Sequence, residues 1–467
     1  MAGEPVLLTA SAVAAAVGGR LVRGDPARTF DGVSIDSRTA RGGQLFIGVR
    51  GERFDGAAFA GLAVAAGAAG AVVPRGVQVG SGEAVVIEVE DGVAALQALG
   101  RWVRRASGTR LTAITGSAGK TTTKEIAAEF LATRYRVFRN EGNLNNHIGL
   151  PLSLVELWRR PEMAVVELGM NHPGEIRTLV ALAEPDMRVW TNVGDAHIGF
   201  FDSPEAIADA KAEILEGADA ATVLIANADD PRVMARTGGF PGRVVRFGLS
   251  ESAEVRATEI VDSGIEGTTA RVRTLTGEGR IDVPLAGAGN LANVLAAAAV
   301  ASAWGVPFDA IAGRAAALRP ARRRGEVVPL ARGVTLVDDS YNSSPAALKT
   351  ALRSIARDRR HARRVALLGE MLELGAHAAR LHEECGRAAA ESGLALLVAA
   401  GGPSAGRLAA AARDAGMSAD AVHHAATSSE AAALAGRLLR PGDLVLVKGS
   451  RGVRMDVVAD RVRDEWR

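Results

Sequence analysis

The chain of 467 residues has one cysteine, Cys385, and two tyrosines, and aromatic residues make up only 4% of it. A single thiol can form no internal disulfide and has no partner for a cysteine metal cluster, so the sequence points to a reducing, cytoplasmic setting. An excess of one charge sign is also lacking. Fifty-five basic against 53 acidic side chains leave a formal net charge of +2, which argues against a general polyanion binder and against nucleic acid as a partner. The longest apolar tract, residues 57–73, is broken by Gly61, Gly67 and Gly70 and stops at Pro74. It suits a helix running into a buried strand, and no membrane insertion is expected. The N-terminal MAGEPVLLTASAVAAAVGGRLV carries Glu4 and no early Lys or Arg, so it reads as a short amphipathic helix rather than a signal peptide.

Lysine is the most informative scarcity. Only Lys120, Lys124, Lys211, Lys349 and Lys448 stand among the 55 basic residues, so a lysine that remains points weakly to chemistry a guanidinium cannot do. Asparagine is nearly as rare, and four of its occurrences (Asn140, Asn143, Asn145 and Asn146) crowd into one short stretch.

What is present is a soluble globular balance, 48% apolar and 23% charged, long enough for two to four domains. An α/β fold of three domains is expected, over 1–106, 107–320 and 321–467. The first alternates short β-like runs with alanine-rich helices and ends in the helical VAALQALGRWVRRA before Ser107-Gly108. The second alternates buried strand candidates (LTAIT, MAVVEL, RVWTNV, ATVLIAN) with helices, the pattern of a parallel sheet covered on both faces. Within it, residues 252–285 alternate polar and β-branched positions and read as an antiparallel β insertion. The proline- and arginine-rich RPARRRG, 319–325, is the second joint, and beyond it VTLVDD, VALLGE, LALLVAA and LVLVKG read as four strands of a further α/β unit. The clusters RPARRR and RDRRHARR read as solvated loops.

The strongest local signal is LTAITGSAGKTTTKE: an apolar strand, then Gly116, Ser117, Ala118, Gly119, Lys120, Thr121 and Thr122, then a helix. Such a loop offers backbone N–H groups and a helix N-terminus to a phosphate, Lys120 as a point charge and the Thr121 hydroxyl to magnesium. Phosphoryl transfer also calls for a magnesium ligand at a neighbouring strand end, where Glu167 directly follows an apolar run. The next strand ends in TNVGDAHIGFF, with Asp195 and His197 beyond it, and then comes a helix carrying Lys211. In open α/β sheets the carboxyl ends of strands converge on one crevice, so Gly116, Glu167 and His197 are expected to face it. Lys211 could, as neutral amine, add carbon dioxide and become a carbamate, an oxygen ligand of the kind magnesium prefers; spacing alone fits an ordinary helix-surface lysine better. Asn143, Asn145, Asn146 and His147 suit a substrate or phosphate, or turns and caps. Asn290 and Asn293 open a helix, where capping is the default. Asp338, Asp339, Ser340, Tyr341 and Asn342 follow a strand, as a lid over a nucleotide or a capped turn.

These segments together resemble the Mur ligase family of ATP-dependent amide ligases. TGSAGKTTTKE, GNLNNHIGLPLS, VVELGMNHPGEI, NVGDAHIGFFDSPEAIADAKAEIL, DDSYNSSPAALKTAL and LLGEMLELGAHAARLHEECG occur in the family's order, and DSRTARGGQLFIGVRGERFDG is similar to its nucleotide-sugar motif. The resemblance implies an N-terminal UDP-binding domain, a central P-loop ATPase-like sheet and a C-terminal Rossmann-like domain. It implies ATP on residues Gly116 to Thr122, one magnesium on Thr121 and Glu167, and a second on His197 and carbamylated Lys211. Asn290 resembles the adenine-side asparagine, Arg324 a linker arginine near the nucleotide, and Asp339 and Tyr341 the segment closing over ATP. Ser37 and Arg38 would lie by the uridine diphosphate, and Lys448, Ser450 and Arg451 near the growing peptide. DDSYN followed by LGEMLELG is most similar to the branch that joins D-Ala-D-Ala to UDP-MurNAc-tripeptide, and a monomer is the family expectation. The alternatives are a branch adding the third stem residue, whose DYAH- and DNPR-type motifs are not found, a polyglutamylating relative, and a nucleotide-dependent switch. Three places depart from the pattern: Gly289 and Ala57 stand where histidine is frequent, and DDSYNSSP carries serines where DDSYNANP is usual.

Overall fold

The computed structural model describes residues 4–51, 54–80, 82–287 and 289–467. By its internal contacts the chain divides into two compact units. One comprises Met1–Thr115, Arg134–Arg188 and Glu213–Val223, the other Gly116–Thr133, Val189–Ala212 and Leu224–Arg467.

The first unit begins with a five-stranded sheet in the order Arg20–Arg23, Val85–Val89, Gly70–Pro74, Leu45–Ile47, Val33–Ser34. Only the first pairing is antiparallel. Side chains alternate across a strand: Phe46, Ala71, Val73 and Val86 pack with Ala60 and Ala63, while Leu45, Ile47, Val72 and Ile87 on the other face are equally buried. Both faces are therefore covered, and the strands read as continuous apolar runs. The expected N-terminal helix is shorter than its alanine content suggested. It spans Ala10–Ala16, capped by the Thr9 hydroxyl, and Gly18 at φ 62° ends it before RLVR pairs as a strand. The helix Gly92–Ser107 starts on the Asp91 carboxylate and stops at left-handed Gly108. From its last turn, buried Arg104 donates to the carbonyls of Thr109, Ala183 and Glu184 and to Asp186, tying the helix to the strand that follows it. That strand, Arg110–Thr115, runs parallel to Met163–Glu167, which runs parallel to Val137–Arg139.

In the second unit, Arg243–Gly248 runs parallel to Val255–Asp262, and Val255–Asp262, Thr268–Thr274 and Gly277–Val283 form the expected antiparallel insertion. The alternation that revealed it is visible in Thr268–Thr274, where Thr268, Ala270, Val272 and Thr274 are buried and Arg271 and Arg273 exposed. The alanine-rich helix Gly289–Ala303 is buried without a break from Val294 to Ser302 and packs on Lys120–Leu131.

The C-terminal sheet has six strands, in the order Glu326–Pro329, Thr335–Asp339, Asp443–Lys448, Arg363–Gly369, Leu396–Ala400, Val422–Ala425. The central four are the expected ones. The two edges, EVVP and VHHA, escape the apolar pattern because an edge strand is short and only partly buried. Among the described residues no helix is long and apolar enough to cross a membrane. Cys385 is buried, and its thiol is pushed up to about 12 by that burial.

His382, on the helix Ala378–Glu391, is fully buried and joins two chain segments: its Nδ1–H donates to Ala378 O (2.7 Å) and its Nε2 accepts from Met371 N (2.9 Å). Both bonds need the neutral ring, and burial holds its pKa below the ordinary 6.5. As pH falls below about 6.5 the unfolded chain takes up a proton that the folded chain refuses, so stability present above that pH is lost on acidification, by at most about 1.4 kcal/mol per pH unit. Urea midpoints between pH 7.5 and 5.5 are expected to fall in the wild type and to show a flatter slope in His382→Gln. Equal slopes would remove His382 as the cause.

Candidate functional site

In the second unit, the loop Gly116–Gly119 opens the helix Lys120–Leu131 and is held in place by two asparagines. Ser117 N donates to Asn192 O (3.0 Å), Ala118 N donates to Asn192 Oδ1 (2.8 Å), and Asn192 Nδ2 with Thr191 Oγ1 donates back to Ala118 O (3.0 and 2.9 Å). The Ser117 hydroxyl donates to Gly194 O and accepts from Gly194 N. On the other side, Asn293 Oδ1 accepts from Thr123 Oγ1 (3.3 Å), Asn293 Nδ2 donates to Asn290 Oδ1 (3.1 Å), and Asn290 Nδ2 donates to Ala286 O (2.8 Å). Two glycines are required by this packing. A Cβ on Gly116 would lie 1.9 Å from Thr191 Oγ1, and one on Gly119, at φ 80°, would lie 2.1 Å from Asn293 Oδ1. Lys120 reaches back across the loop to Gly116 O at 2.9 Å.

His197 sits at φ 65° in the loop after Met187–Trp190, with its buried Nδ1 2.6 Å from Glu373 Oε2. The two form a close polar contact that falls short of an aligned hydrogen bond. The His197 ring beside Glu373 holds that carboxyl below its usual range. Lys211, in the last turn of Pro204–Ala212, is buried.

The C-terminal residues come together in pairs. The Arg324 guanidinium lies over the Tyr341 ring at 4.0 Å. Lys448, buried, donates to Asp339 Oδ2 (2.6 Å) and to Asn342 O (3.0 Å). Ser450 Oγ accepts from Leu372 N (3.0 Å), and Arg451, exposed, starts a short 3-10 turn after it. A cavity of about 910 Å³ opens elsewhere in this unit, lined among others by Asp229, Leu249, Asp262, Leu291 and, from the RDRRHARR cluster, Arg357; none of the candidate catalytic, nucleotide or substrate residues borders it.

In the first unit, Glu167 ends its strand buried, in register with Ile114, two residues before Gly116. The asparagine-rich stretch is its scaffold. Asn145 Nδ2 donates to Glu167 Oε1 (2.8 Å), Asn140 Oδ1 accepts from Glu167 N (3.1 Å), and Asn140 Nδ2 donates to Leu144 O (3.0 Å). Asn143 supplies its carbonyl to Asn145 N, and Asn146 Oδ1 caps the next helix at Ile148 N and Gly149 N. Ser37 and Arg38 lie in the turn after Val33–Ser34. There the Arg38 side chain and amide bind Asp36 and hold its carboxyl down to about 2.

Four residues absent from the sequence-derived site now belong to its frame: Asn140, Asn192, Asn293 and Glu373. The scarcity of asparagine was the available signal for the first three; for Glu373 it was only its place in the LGEMLELG motif, which does not point to His197. Among the described residues no three His, Cys, Asp or Glu side chains cluster into a self-sufficient metal cage. That fits magnesium, which keeps waters and is held by one or two protein oxygens together with phosphate.

The sequence patterns of three family domains match in succession: the Mur ligase family catalytic domain over 29–106, the Mur ligase middle domain over 114–301, and the Mur ligase glutamate ligase domain over 323–451. The chain is 33% identical to the UDP-N-acetylmuramoyl-tripeptide–D-alanyl-D-alanine ligase of Bacillus subtilis, over 91% of this chain and 92% of that one. Its structure is similar to MurF from Acinetobacter baumannii, with a TM-score of 0.88, 30% identity and 98% and 99% of the two chains covered. It is also similar to MurF ligase from Thermotoga maritima in complex with ADP, with a TM-score of 0.81, 29% identity and 93% and 97% covered. The chain belongs to the Mur ligase family, and its fold is the three-domain α/β architecture the sequence led one to expect.

Asn293 is held from both sides, so a methyl group at Gly119 has no room to be absorbed. Gly119→Ala is expected to weaken binding of a non-hydrolysable ATP analogue at least about tenfold, which is 1.4 kcal/mol, as read by calorimetry. Relief in the double variant Gly119→Ala/Asn293→Gly, partial because the left-handed backbone persists, would identify the clash; unchanged binding in the single variant would place the phosphates elsewhere.

Proposed function

We propose that this chain is an ATP-dependent ligase that joins D-Ala-D-Ala to the terminal carboxylate of UDP-MurNAc-tripeptide through an acyl phosphate. The observation that carries the reading is the glycine loop clamped between Asn192 and Asn293 with Lys120 across it, in a chain similar along nearly its whole length to relatives named for that reaction.

A carboxylate does not condense with an amine in water at a useful rate, because the oxyanion is a poor electrophile and a worse leaving group. In the first step the peptide carboxylate attacks the γ-phosphorus of ATP, forming the acyl phosphate and releasing ADP. In the second the free amine of D-Ala-D-Ala attacks the acyl carbon, and inorganic phosphate leaves. Two anions must meet in the first step, so a fixed field is needed rather than a base. Ser117 and Ala118 N–H are engaged by Asn192, which fixes the loop at the N-terminus of the helix Lys120–Leu131, where the helix dipole favours a phosphate. Lys120 supplies the mobile positive charge.

Two magnesium ions, when bound, would neutralise the phosphate oxygens, one on Thr121 and Glu167 and one on His197 and Lys211. Asn145 and Asn140 fix the direction of Glu167. Lys211 is buried; its amine, when neutral, adds carbon dioxide to give a carbamate and one proton, converting a cation into an oxygen donor. Asn290, Arg324, Asp339 and Tyr341 serve the nucleotide, Ser37 and Arg38 the uridine diphosphate, and Asn143, Asn145, Asn146, Lys448, Ser450 and Arg451 the substrate side. The enzyme acts as a monomer in the cytoplasm, where a nucleotide-linked precursor and ATP are both available.

Phosphate release with ATP and UDP-MurNAc-tripeptide is expected with D-Ala-D-Ala and not with free diaminopimelate, lysine or glutamate. Release with a free amino acid instead would assign the chain to another branch of the family. Lys211→Arg keeps the charge and is expected to lower kcat at least about a hundredfold, or 2.7 kcal/mol, with partial recovery on adding formate or acetate. Normal turnover in that variant would reject the carbamate.

A further inference from the structure

His197 and Glu373 come from distant parts of the sequence and meet in a place where the backbone itself is interlocked. Gly199 N donates to Glu373 O at 2.9 Å. A Cβ on Gly199 would lie 2.6 Å from Gly375 N and 2.7 Å from Glu373 O, and one on Gly375 would lie 2.8 Å from Gly199 Cα. The two chains thus approach as closely as glycine permits. Both partners of the side-chain contact also hold left-handed backbone, His197 at φ 65° and Glu373 at φ 64°. A non-glycine residue adopts that conformation at a cost, and it persists where the surroundings fix it. What the two conformations do share is the meeting of Nδ1 and Oε2 at 2.6 Å.

The segment bearing Glu373 is itself anchored. Leu372 N donates to Ser450 Oγ (3.0 Å) and Met371 N to His382 Nε2 (2.9 Å). The carboxylate is therefore presented by a braced loop. A carboxylate beside Nδ1 of a histidine favours the tautomer with the proton on that nitrogen and leaves Nε2 facing away from it, able to act as a ligand.

From this geometry we propose that Glu373 is a positioning residue for His197, holding its imidazole with Nε2 presented to the magnesium nearest Lys211. The proposal rests on the reading of His197 as a ligand for that ion. Through it, the orientation of His197 depends on the loop 371–375, a segment about 170 residues further along the chain whose own seat is set by His382 and Ser450.

The test is metal binding in the full-length protein with a non-hydrolysable ATP analogue, following free Mn²⁺ by electron paramagnetic resonance, in wild type, Glu373→Gln, Glu373→Asp and His197→Ala. Removing such an outer partner of a metal ligand weakens binding by about 10- to 100-fold. Glu373→Gln is expected to weaken the more labile Mn²⁺ site by at least about tenfold. It should also raise the Mg²⁺ concentration needed for half-maximal turnover by a similar factor, with KM for D-Ala-D-Ala unchanged and kcat recovered at high Mg²⁺. Glu373→Asp should retain part of the affinity, and melting temperatures establish that each variant is folded. If His197→Ala weakens the site and Glu373→Gln leaves Mn²⁺ affinity and Mg²⁺ dependence as in the wild type, the positioning role is overturned while the ligand role stands. If His197→Ala has no effect on Mn²⁺ binding, the ligand reading itself fails, and the role of Glu373 with it.

Discussion

Everything proposed for this chain depends on neutral amide side chains gripping a loop that must receive a highly charged anion. Asn192 both donates to and accepts from the peptide group at Ala118, and Asn293 fills the space against Gly119. An aspartate in place of Asn192 could accept the same Ala118 N–H bond but would set a negative charge beside the loop. An arginine or lysine could donate but not accept, so the peptide would be held at one end only. Asparagine alone among side chains of its length fixes both ends without altering the field. The same logic recurs at Glu167, whose carboxylate and amide are held by Asn145 and Asn140. There the charge is kept for the reaction and the supports add none.

The scarcity of asparagine and lysine was therefore legible to different degrees. Six of the ten asparagines, Asn140, Asn145, Asn192, Asn290, Asn293 and Asn146, are engaged in the frame of the glycine loop, of Glu167 or of the helix Gly149–Val155. Lysine is less uniform. Lys124 pairs with Glu125, Lys349 with Glu384 and Lys448 with Asp339, roles in which a guanidinium would also serve in charge. Compactness separates these cases from the surface arginines: Lys124 and Lys448 are buried, where three donors on one nitrogen are easier to satisfy than five in a planar fork. For Lys120 and Lys211 the proposed chemistry rests on their position, not on rarity alone.

The fold was readable wherever burial imposes a period. Strands covered on both faces appear as unbroken apolar runs, and the insertion near 252–285 appears through strict alternation in Thr268–Thr274. The two edge strands of the C-terminal sheet carry Pro329 and the pair His423-His424, residues that an edge tolerates and an apolar pattern passes over. The contact of His197 with Glu373 was beyond reach for another reason. It depends on where two loops meet, and its only local trace is Gly199 and Gly375, two glycines in a chain that holds 54.

The aspartate pair at the end of Thr335–Asp339 shows how a single motif divides its work through the strand period. Adjacent side chains point to opposite faces. Asp338 is fully buried; it accepts from Ser340 Oγ (2.6 Å) and from Arg463 (2.9 Å), and its burial pushes its carboxyl pKa upward against those bonds. Removing Arg463 would take from that buried carboxylate its hydrogen-bonded cation and leave it only the charge of Arg323 nearby, so the pair fastens the last helix to the sheet. Asp339 is more exposed and reaches Lys448 at 2.6 Å on the strand beside it, where the register aligns the two residues. A carboxylate that already neutralises a buried lysine can change partner when a nucleotide arrives, because the lysine retains Asn342 O at 3.0 Å. Two identical residues in sequence thus differ in what they can do, and the difference follows from one step along a β-strand.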